Sequence, residues 1–324
     1  VTEEQSQQLI KRAAQAEDVH AGGRLDQIAA QLFPEYSRAR LQAWIRQGAL
    51  RLNGERVKPR AIVQAGAQLQ LTARLEPEVS WQAQDIPLNV LFEDKDLLVI
   101  DKPAGLVVHP GAGNPAGTLV NALLQHRPSL EQIPRAGIVH RLDKDTSGLL
   151  VVAGSLPAHT SLVAQLQRKE VNREYYALVR GVPSGGGCVD APIGRHPRQR
   201  TRMAVVATGG KTAVTHYRIS ERFANYTALK VELETGRTHQ IRVHMAHRGY
   251  PLLGDPVYGG RLQLPRGVSD ILGDALRAFR RQALHARRLC FEHPVSGEAC
   301  EFESPIAADL LDLRTVLREE DAPG

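Results

Sequence analysis

Gly137-Ile-Val-His-Arg-Leu-Asp-Lys-Asp-Thr-Ser-Gly-Leu-Leu-Val-Val-Ala153 sets two apolar runs, Ile138–Val139 and Leu149–Val152, around a polar centre of His140, Arg141, Asp143, Lys144, Asp145, Thr146 and Ser147. Short apolar runs rich in β-branched residues predict buried strands, and the polar knot between them predicts a turn that the sheet holds. Charged side chains presented on a rigid frame are a common way to build an active site. Asp143 stands out because it follows a strand-like run with Arg141 and Lys144 as near neighbours. Burial would raise its pKa and a basic partner would lower it, so only a partner keeps it ionised at neutral pH. The competing reading is a turn aspartate that caps its own backbone.

Downstream, Pro157 suits the first turn of a helix whose Leu162, Val163 and Leu166 share a face. Strands are expected at Arg173–Arg180, Ala213–Ser220 and Tyr226–Leu233, with a loop carrying Arg195, Arg198, Arg200 and Arg202 between the first two. Gly236 to Gly249 reads as a short helix that turns Ile241 and Met245 inward and sets His239 and Arg242 on a neighbouring face. His239, His244 and His247 lack the carboxylate of an H-E-x-x-H site, so they read as packed histidines and no metal is expected. From Pro305, Leu310, Leu311, Leu313 and Leu317 predict an amphipathic helix with a frayed acidic tail.

Upstream, Val90–Glu93 and Leu97–Ile100 flank Asp94-Lys95-Asp96 as a hairpin. The glycine-rich loop from His109 to Asn114 lacks the lysine and spacing of a P-loop. Between Arg24 and Arg60 there are eight basic residues against three acids, which concentrates much of the net charge of +6. Leu25, Ile28, Ala29 and Leu32 fall at helical spacing; Ser37 caps a second helix that turns Leu41, Trp44 and Ile45 inward before Gly48. Strands follow at Leu50–Asn53, with Asn53-Gly54 as a tight turn, and at Gln68–Thr72. Arg38 and Arg46 lie off the apolar face, where a phosphate backbone could run.

A length of 324 residues favours two domains. The expected division is a polar tail over 1–20, loosely held or one marginal helix, a basic module over 21–74, a linker over 75–87, a main domain over 88–306, and a helix with acidic tail over 307–324. Cys188, Cys290 and Cys300 are odd in number and have no C-x-x-C spacing, which argues against a disulfide framework and a zinc site. No apolar run is long enough to span a bilayer and the start lacks a signal-peptide pattern, so a cytoplasmic protein is expected.

Arg24-Leu25-Asp26, Ser37-Arg38-x-Arg40-Leu41, Ile45-x-x-Gly48 and Leu52-Asn53-Gly54 together resemble the S4 RNA-binding domain. His140-Arg141-Leu142-Asp143 with Thr146-Ser147-Gly148-Leu149 resembles the signature of the RluA family of pseudouridine synthases. Arg173-Glu174-Tyr175-Tyr176-Ala177, Gly236 to His244 and Leu253-Gly254-Asp255-Pro256 with Tyr258 match that family's later blocks in order. The resemblance implies an α+β protein: a small S4 (α-L) domain plus a catalytic domain on a mostly antiparallel mixed β-sheet flanked by helices and loops. It implies isomerisation of uridine to pseudouridine in RNA, with 23S ribosomal RNA or a large-subunit precursor as substrate, in support of ribosome assembly, by a monomer.

It also implies roles. Asp143 matches the catalytic aspartate, Tyr175 the tyrosine that packs on the target base, Arg242 the basic partner of the aspartate, and Arg141 the arginine that enters the RNA helix as the uridine leaves. Arg38, Arg40, Arg46, Arg198, Arg200 and Arg202 are the further expected RNA contacts. The reaction joins C5 to C1′ in place of N1 with no redox change, so neither cofactor nor metal is needed. Asp143 would either attack C1′ or remove a ribose proton to give a glycal-like intermediate. Two other readings compete. Asp143-x-Asp145-x-Ser147 approximates a magnesium phosphatase motif, though the later acidic pair is missing, and the second domain could grip RNA without acting on it.

Overall fold

The computed structural model describes residues 9–34, 36, 38–74, 81–111, 113–199 and 201–321. The chain divides into two compact units, Val1–Ser80 and Trp81–Gly324.

In the first unit, α1 (Leu25–Leu32) and α2 (Arg38–Gln47) pack on a sheet of β1 (Leu9–Gln15), β2 (Leu50–Leu52) and β3 (Gln68–Arg74), ordered β1-β3-β2. The expected apolar positions form its core: Leu25, Ile28, Ala29, Leu41, Trp44 and Ile45 are all buried, over Leu50, Leu69 and Leu71 from the sheet. Asp26 is buried at the start of α1. Burial pushes its carboxyl up, but hydrogen bonds from Arg38, Gln42 and Arg24 outweigh that and bring it down to about 2. The expected cap Ser37 lies outside the described residues, as do 1–8 of the expected tail.

The tail reading needs correction. Leu9–Gln15 is a strand in antiparallel register with Gln68–Arg74. It covers what would otherwise be the open edge of β3, and Ile10 and Ala16 sink into the core while Lys11 and Arg12 face water. An edge strand needs so little apolar alternation that the pattern is easily missed.

In the second unit, β4 (Val90–Glu93) and β5 (Leu97–Lys102) form the expected hairpin. They are followed by α3 (Leu119–His126), β6 (Ser147–Ala153), α4 (Leu156–Arg168) and β7 (Asn172–Arg180). Next come β8 (Gly187–Asp190), β9 (Ile193–Arg195), β10 (Met203–Val205), β11 (Val214–Arg222), β12 (Tyr226–Leu233) and α5 (Gln240–His247). The chain closes with α6 (Asp270–Ala278), β13 (Leu284–Glu292), β14 (Ala299–Glu303) and α7 (Ala308–Glu320). Among the described residues the main sheet has nine strands, ordered β4-β5-β6-β13-β7-β12-β11-β8, with β14 paired to β13. The β6–β13 pair is parallel and the others antiparallel, which makes the sheet mixed.

Three further expectations change here. Ile138–Val139 is not a strand: it follows a tight 3-10 turn over Pro134–Gly137, and Ile138 meets Val152 through a single bridge. Positive φ at Arg135 and Ala136 bends the chain too sharply for it to enter the sheet extended. Trp81, assigned to the linker, packs on the second unit's core and edge-on to His109 at 6.3 Å, and its apolar area is reason enough for it to dock. The rest of that linker, 75–80, lies outside the described residues. The acidic end does not fray within the described residues: Glu320 accepts from the Ser269 amide at 2.9 Å and Asp321 from the Ala224 amide at 2.8 Å, while Leu310, Leu313 and Leu317 are buried.

The parallel contact matters most for the site. His285 and Ala286 of β13 lie beside Ser147 and Gly148 of β6, and Gly148 adopts φ +107. A Cβ there would stand 2.2 Å from the Ala286 carbonyl oxygen, a backbone atom that cannot turn aside. Gly148→Ala is therefore expected to destabilise this unit by about 3 kcal/mol, read as a lowered midpoint in urea with an unchanged slope.

Candidate active site

Strand order assembles the site. β6 and β7 flank β13, and His285 of β13 pairs with Ser147 on one side and Tyr176 on the other, so the turn that feeds β6 comes level with Tyr175 and Tyr176 in the middle of β7, while α5 follows β12 in the chain. A cleft of about 820 Å³ opens there, lined by Asp143, Tyr175 and Arg242 together with the apolar side chains of Leu142, Ile241 and Leu284. Arg135, Arg141 and Arg237 line it too, each exposed to solvent.

Asp143 sits at a turn closed by the Thr146 amide, which donates to the Asp143 carbonyl at 3.1 Å. The turn is clamped from beneath. The Lys102 ammonium, fully buried, donates to the carbonyls of Pro103, Leu106 and Lys144 at 2.7, 2.9 and 2.9 Å. Burial brings its pKa down to about 8 against the pull of Asp145 and Asp143. Gln282 donates to the Thr146 hydroxyl at 3.1 Å, and Ser147 Oγ meets His285 Nδ1 at 3.0 Å. The preceding His140 faces inward and accepts the Val151 amide at 3.1 Å. Burial, helped by the charge of Arg173, pushes its imidazole down to about 3, so it stays neutral and structural.

The Asp143 carboxylate accepts from Arg242 Nη1 at 3.0 Å, joining residues 99 positions apart. The other edge of the same guanidinium grips Asp255 in a fork: Nε to Oδ2 at 2.7 Å and Nη2 to Oδ1 at 3.0 Å. Asp255 also takes the amides of Val257 and Tyr258 at 2.8 and 2.9 Å. Burial works against the charge on Arg242, but the bonds to Asp255 and the charges of Asp255 and Asp143 outweigh it and raise its pKa. Burial likewise raises Asp255, and Arg242 with the two amides more than reverses this. The result is a fixed cation, aimed at Asp143 by a carboxylate behind it.

Tyr258 forms a wall of this arrangement, with Arg242 over its ring at 5.1 Å. Its hydroxyl meets His239 Nδ1 at 2.9 Å and accepts from the Met203 amide at 3.0 Å. His239, in a left-handed conformation ahead of α5, brings Nε2 to 3.9 Å from Asp143 Oδ1. Burial lowers its pKa despite that carboxylate. Tyr175 is buried on β7, and burial raises its phenol further, so it offers a neutral ring to the cleft.

The structure thus joins Asp143, Tyr175 and Arg242, with Arg141 exposed at the rim. The other basic candidates divide. Arg202 is occupied: it donates to Gln199 Oε1 at 3.0 Å and to the Val257 carbonyl, and covers the Tyr258 ring at 5.2 Å, so it braces the site wall. Arg198 is exposed on the same loop, and Arg200 lies outside the described residues. In the first unit Arg38 is drawn to Asp26 at 2.5 Å, Arg40 covers Trp44 at 5.7 Å, and Arg46 is exposed and donates to Gln42 at 3.3 Å. His244 is a core residue, bonded to Thr215 Oγ1 and the Ala191 carbonyl at 2.9 Å each. Among the described residues no group of three or more His, Cys, Asp or Glu is placed to hold a metal ion, and no helix is long and apolar enough to cross a membrane.

Sequence reasoning passed over Asp255, Tyr258 and His239 as site residues. The signal available was Gly254-Asp255-Pro256, an acid held in a turn just before an aromatic residue.

The RNA pseudouridylate synthase family profile matches residues 96–247 and the S4 domain profile residues 23–69. The chain is 58% identical to ribosomal large subunit pseudouridine synthase D of Pseudomonas aeruginosa, over 96% of this chain and 97% of that protein. It is 57% identical to the protein of the same name from Xanthomonas campestris pv. campestris, over 96% and 94% of the two. Among solved structures it resembles human RNA pseudouridylate synthase domain containing 4, with a TM-score of 0.55 and 25% identity over 71% of this chain and 93% of that one.

Proposed function

The chain belongs to the RNA pseudouridylate synthase family, and we propose that it isomerises uridine to pseudouridine in ribosomal RNA of the large subunit, with Asp143 as the catalytic group. The observation that carries the assignment is the Asp143–Arg242 contact of 3.0 Å at the head of a cleft also lined by Tyr175.

Removing the target uridine from its stack costs roughly a few kcal/mol, which contacts in the cleft must offset. Arg141, exposed at the rim, can fill the vacated place, and Tyr175 offers a ring face to the extruded base. Asp143 then meets the ribose, either at C1′ as nucleophile or at a ribose C–H as base. In both cases Arg242 keeps the carboxylate in one orientation, because its fork on Asp255 leaves it no other. The uracil turns, C5 replaces N1 on C1′, and the proton lost from C5 is balanced by one gained at N1. No co-reactant is consumed.

The basic first unit is assigned to RNA binding. Its S4 match and its excess of arginine support RNA binding, with Arg46 and Arg40 as the candidates and Arg38 partly committed to Asp26. We place residues 21–74 as the RNA-gripping domain and 88–306 as the catalytic one, and we assign 23S RNA or its precursor as the substrate, the cytoplasm as the location, a monomer as the working form and ribosome assembly as the process served.

Mapping pseudouridines in 23S RNA from cells lacking this protein tests the assignment. The expected result is the loss of pseudouridine at discrete positions, restored by the full chain. An unchanged map would refute it.

A further inference from the structure

Arg173 is 7% exposed, yet no acidic side chain among the described residues lies within 4.0 Å of its guanidinium. Its Nε is buried without a partner, and Nη2 reaches the Leu233 carbonyl only at 3.4 Å. Burying an uncompensated guanidinium costs a protein stability, so a chain that keeps one keeps it for another use. The surroundings say where that use lies. Arg173 lines the catalytic cleft and precedes Tyr175 by two positions on β7, which puts both on one face of the strand about 6.6 Å apart. Space for it is made by Gly236, where a Cβ would stand 2.8 Å from Nη1.

We propose that Arg173 is a catalytic residue that donates hydrogen bonds to a carbonyl oxygen of the target uracil and stabilises the base as it leaves the ribose. This rests on the function proposed above. A uracil lying on Tyr175 presents its polar edge along the strand to Arg173, while Asp143 and Arg242 attend to the sugar. When the N1–C1′ bond breaks, its electron pair stays with the base and spreads over O2 and O4. C5 then supplies the pair for the new bond to C1′, C5 loses its proton and N1 gains one. The negative charge exists only between those events, and a donor already fixed and desolvated stabilises it without reorganising. A phosphate is the less suitable occupant, since the cleft offers exposed arginines at its rim for that purpose.

The test uses the full chain with a ribosomal RNA fragment under single-turnover conditions, comparing Arg173→Met and Arg173→Lys. Arg173→Met is expected to slow uridine consumption about a hundredfold. RNA affinity should stay within about threefold and the melting temperature should hold or rise, because the variant removes a buried cation. Arg173→Lys should recover part of the rate. With 5-fluorouridine at the target, whose base carries negative charge more readily, the deficit should shrink. The proposal is overturned by an unchanged rate, by a loss confined to affinity as for a phosphate contact, by a deficit equal for both bases, or by a melting temperature that falls with the rate as for a structural residue. Failure of the unmodified enzyme to convert uridine would instead strike at the parent assignment.

Discussion

Asp143→Asn should bind the RNA as tightly as the parent chain and release no measurable tritium from uridine labelled at C5. The expected loss in rate is about a factor of 10⁵, since the group removed makes or breaks bonds itself. Asparagine keeps the size and one acceptor oxygen, so Arg242 Nη1 retains a partner where it now meets Asp143 at 3.0 Å, and Arg242 remains forked on Asp255. The turn is held by Lys102 and Thr146 through backbone carbonyls, not through the carboxylate, so the fold should be spared. An amide can neither attack C1′ nor take a ribose proton, and both routes stop together. Asp143→Glu is the stricter companion. It preserves the charge and moves it by one methylene, and near-complete loss there shows that position matters as well as acidity. Substantial turnover by Asp143→Asn would sink the assignment and leave RNA binding as the surviving function.

Much of this arrangement was visible in the sequence because local rules govern it. The turn around Asp143, the hairpin at Val90–Ile100, strand Tyr226–Leu233 and the apolar faces of α1 and α2 all follow from period and turn chemistry. β13 illustrates what local rules miss. It lies between β6 and β7 and sets the spacing of Asp143 and Tyr175, yet its Leu-His-Ala-Arg-Arg-Leu-Cys-Phe-Glu does not read as a central strand. His285 is buried against Ser147 and Arg288 pairs with Glu301 of β14, so tertiary partners make those polar residues tolerable. Edge strand β1 escaped for the opposite reason, having too little to bury. The family motifs named Asp143, Tyr175 and Arg242 separately; what brings them together is sheet order, which no window of sequence contains.

Arg242 is the second severe position. Arg242→Lys should cost about a thousandfold in rate while the protein still folds, with Asp143 left in place. One guanidinium now serves two carboxylates on two edges, with Nε and Nη2 on Asp255 and Nη1 on Asp143. Lysine has a single nitrogen that can follow one of them. Asp255 is the better competitor, because it is the more buried and already holds the amides of Val257 and Tyr258 in place. The ammonium should therefore settle there and leave Asp143 without its tether, free to turn away from the sugar. Arg242→Met separates charge from position: it strands Asp255 as a buried carboxylate and should cost roughly 3–5 kcal/mol of stability in addition to activity. Arg242→Lys should lose far less stability and nearly as much rate. That contrast, measured by urea unfolding beside single-turnover kinetics, isolates aiming from folding. If Arg242→Lys retains more than about a tenth of the parental rate, then Asp143 needs only a nearby cation and the fork on Asp255 is structural.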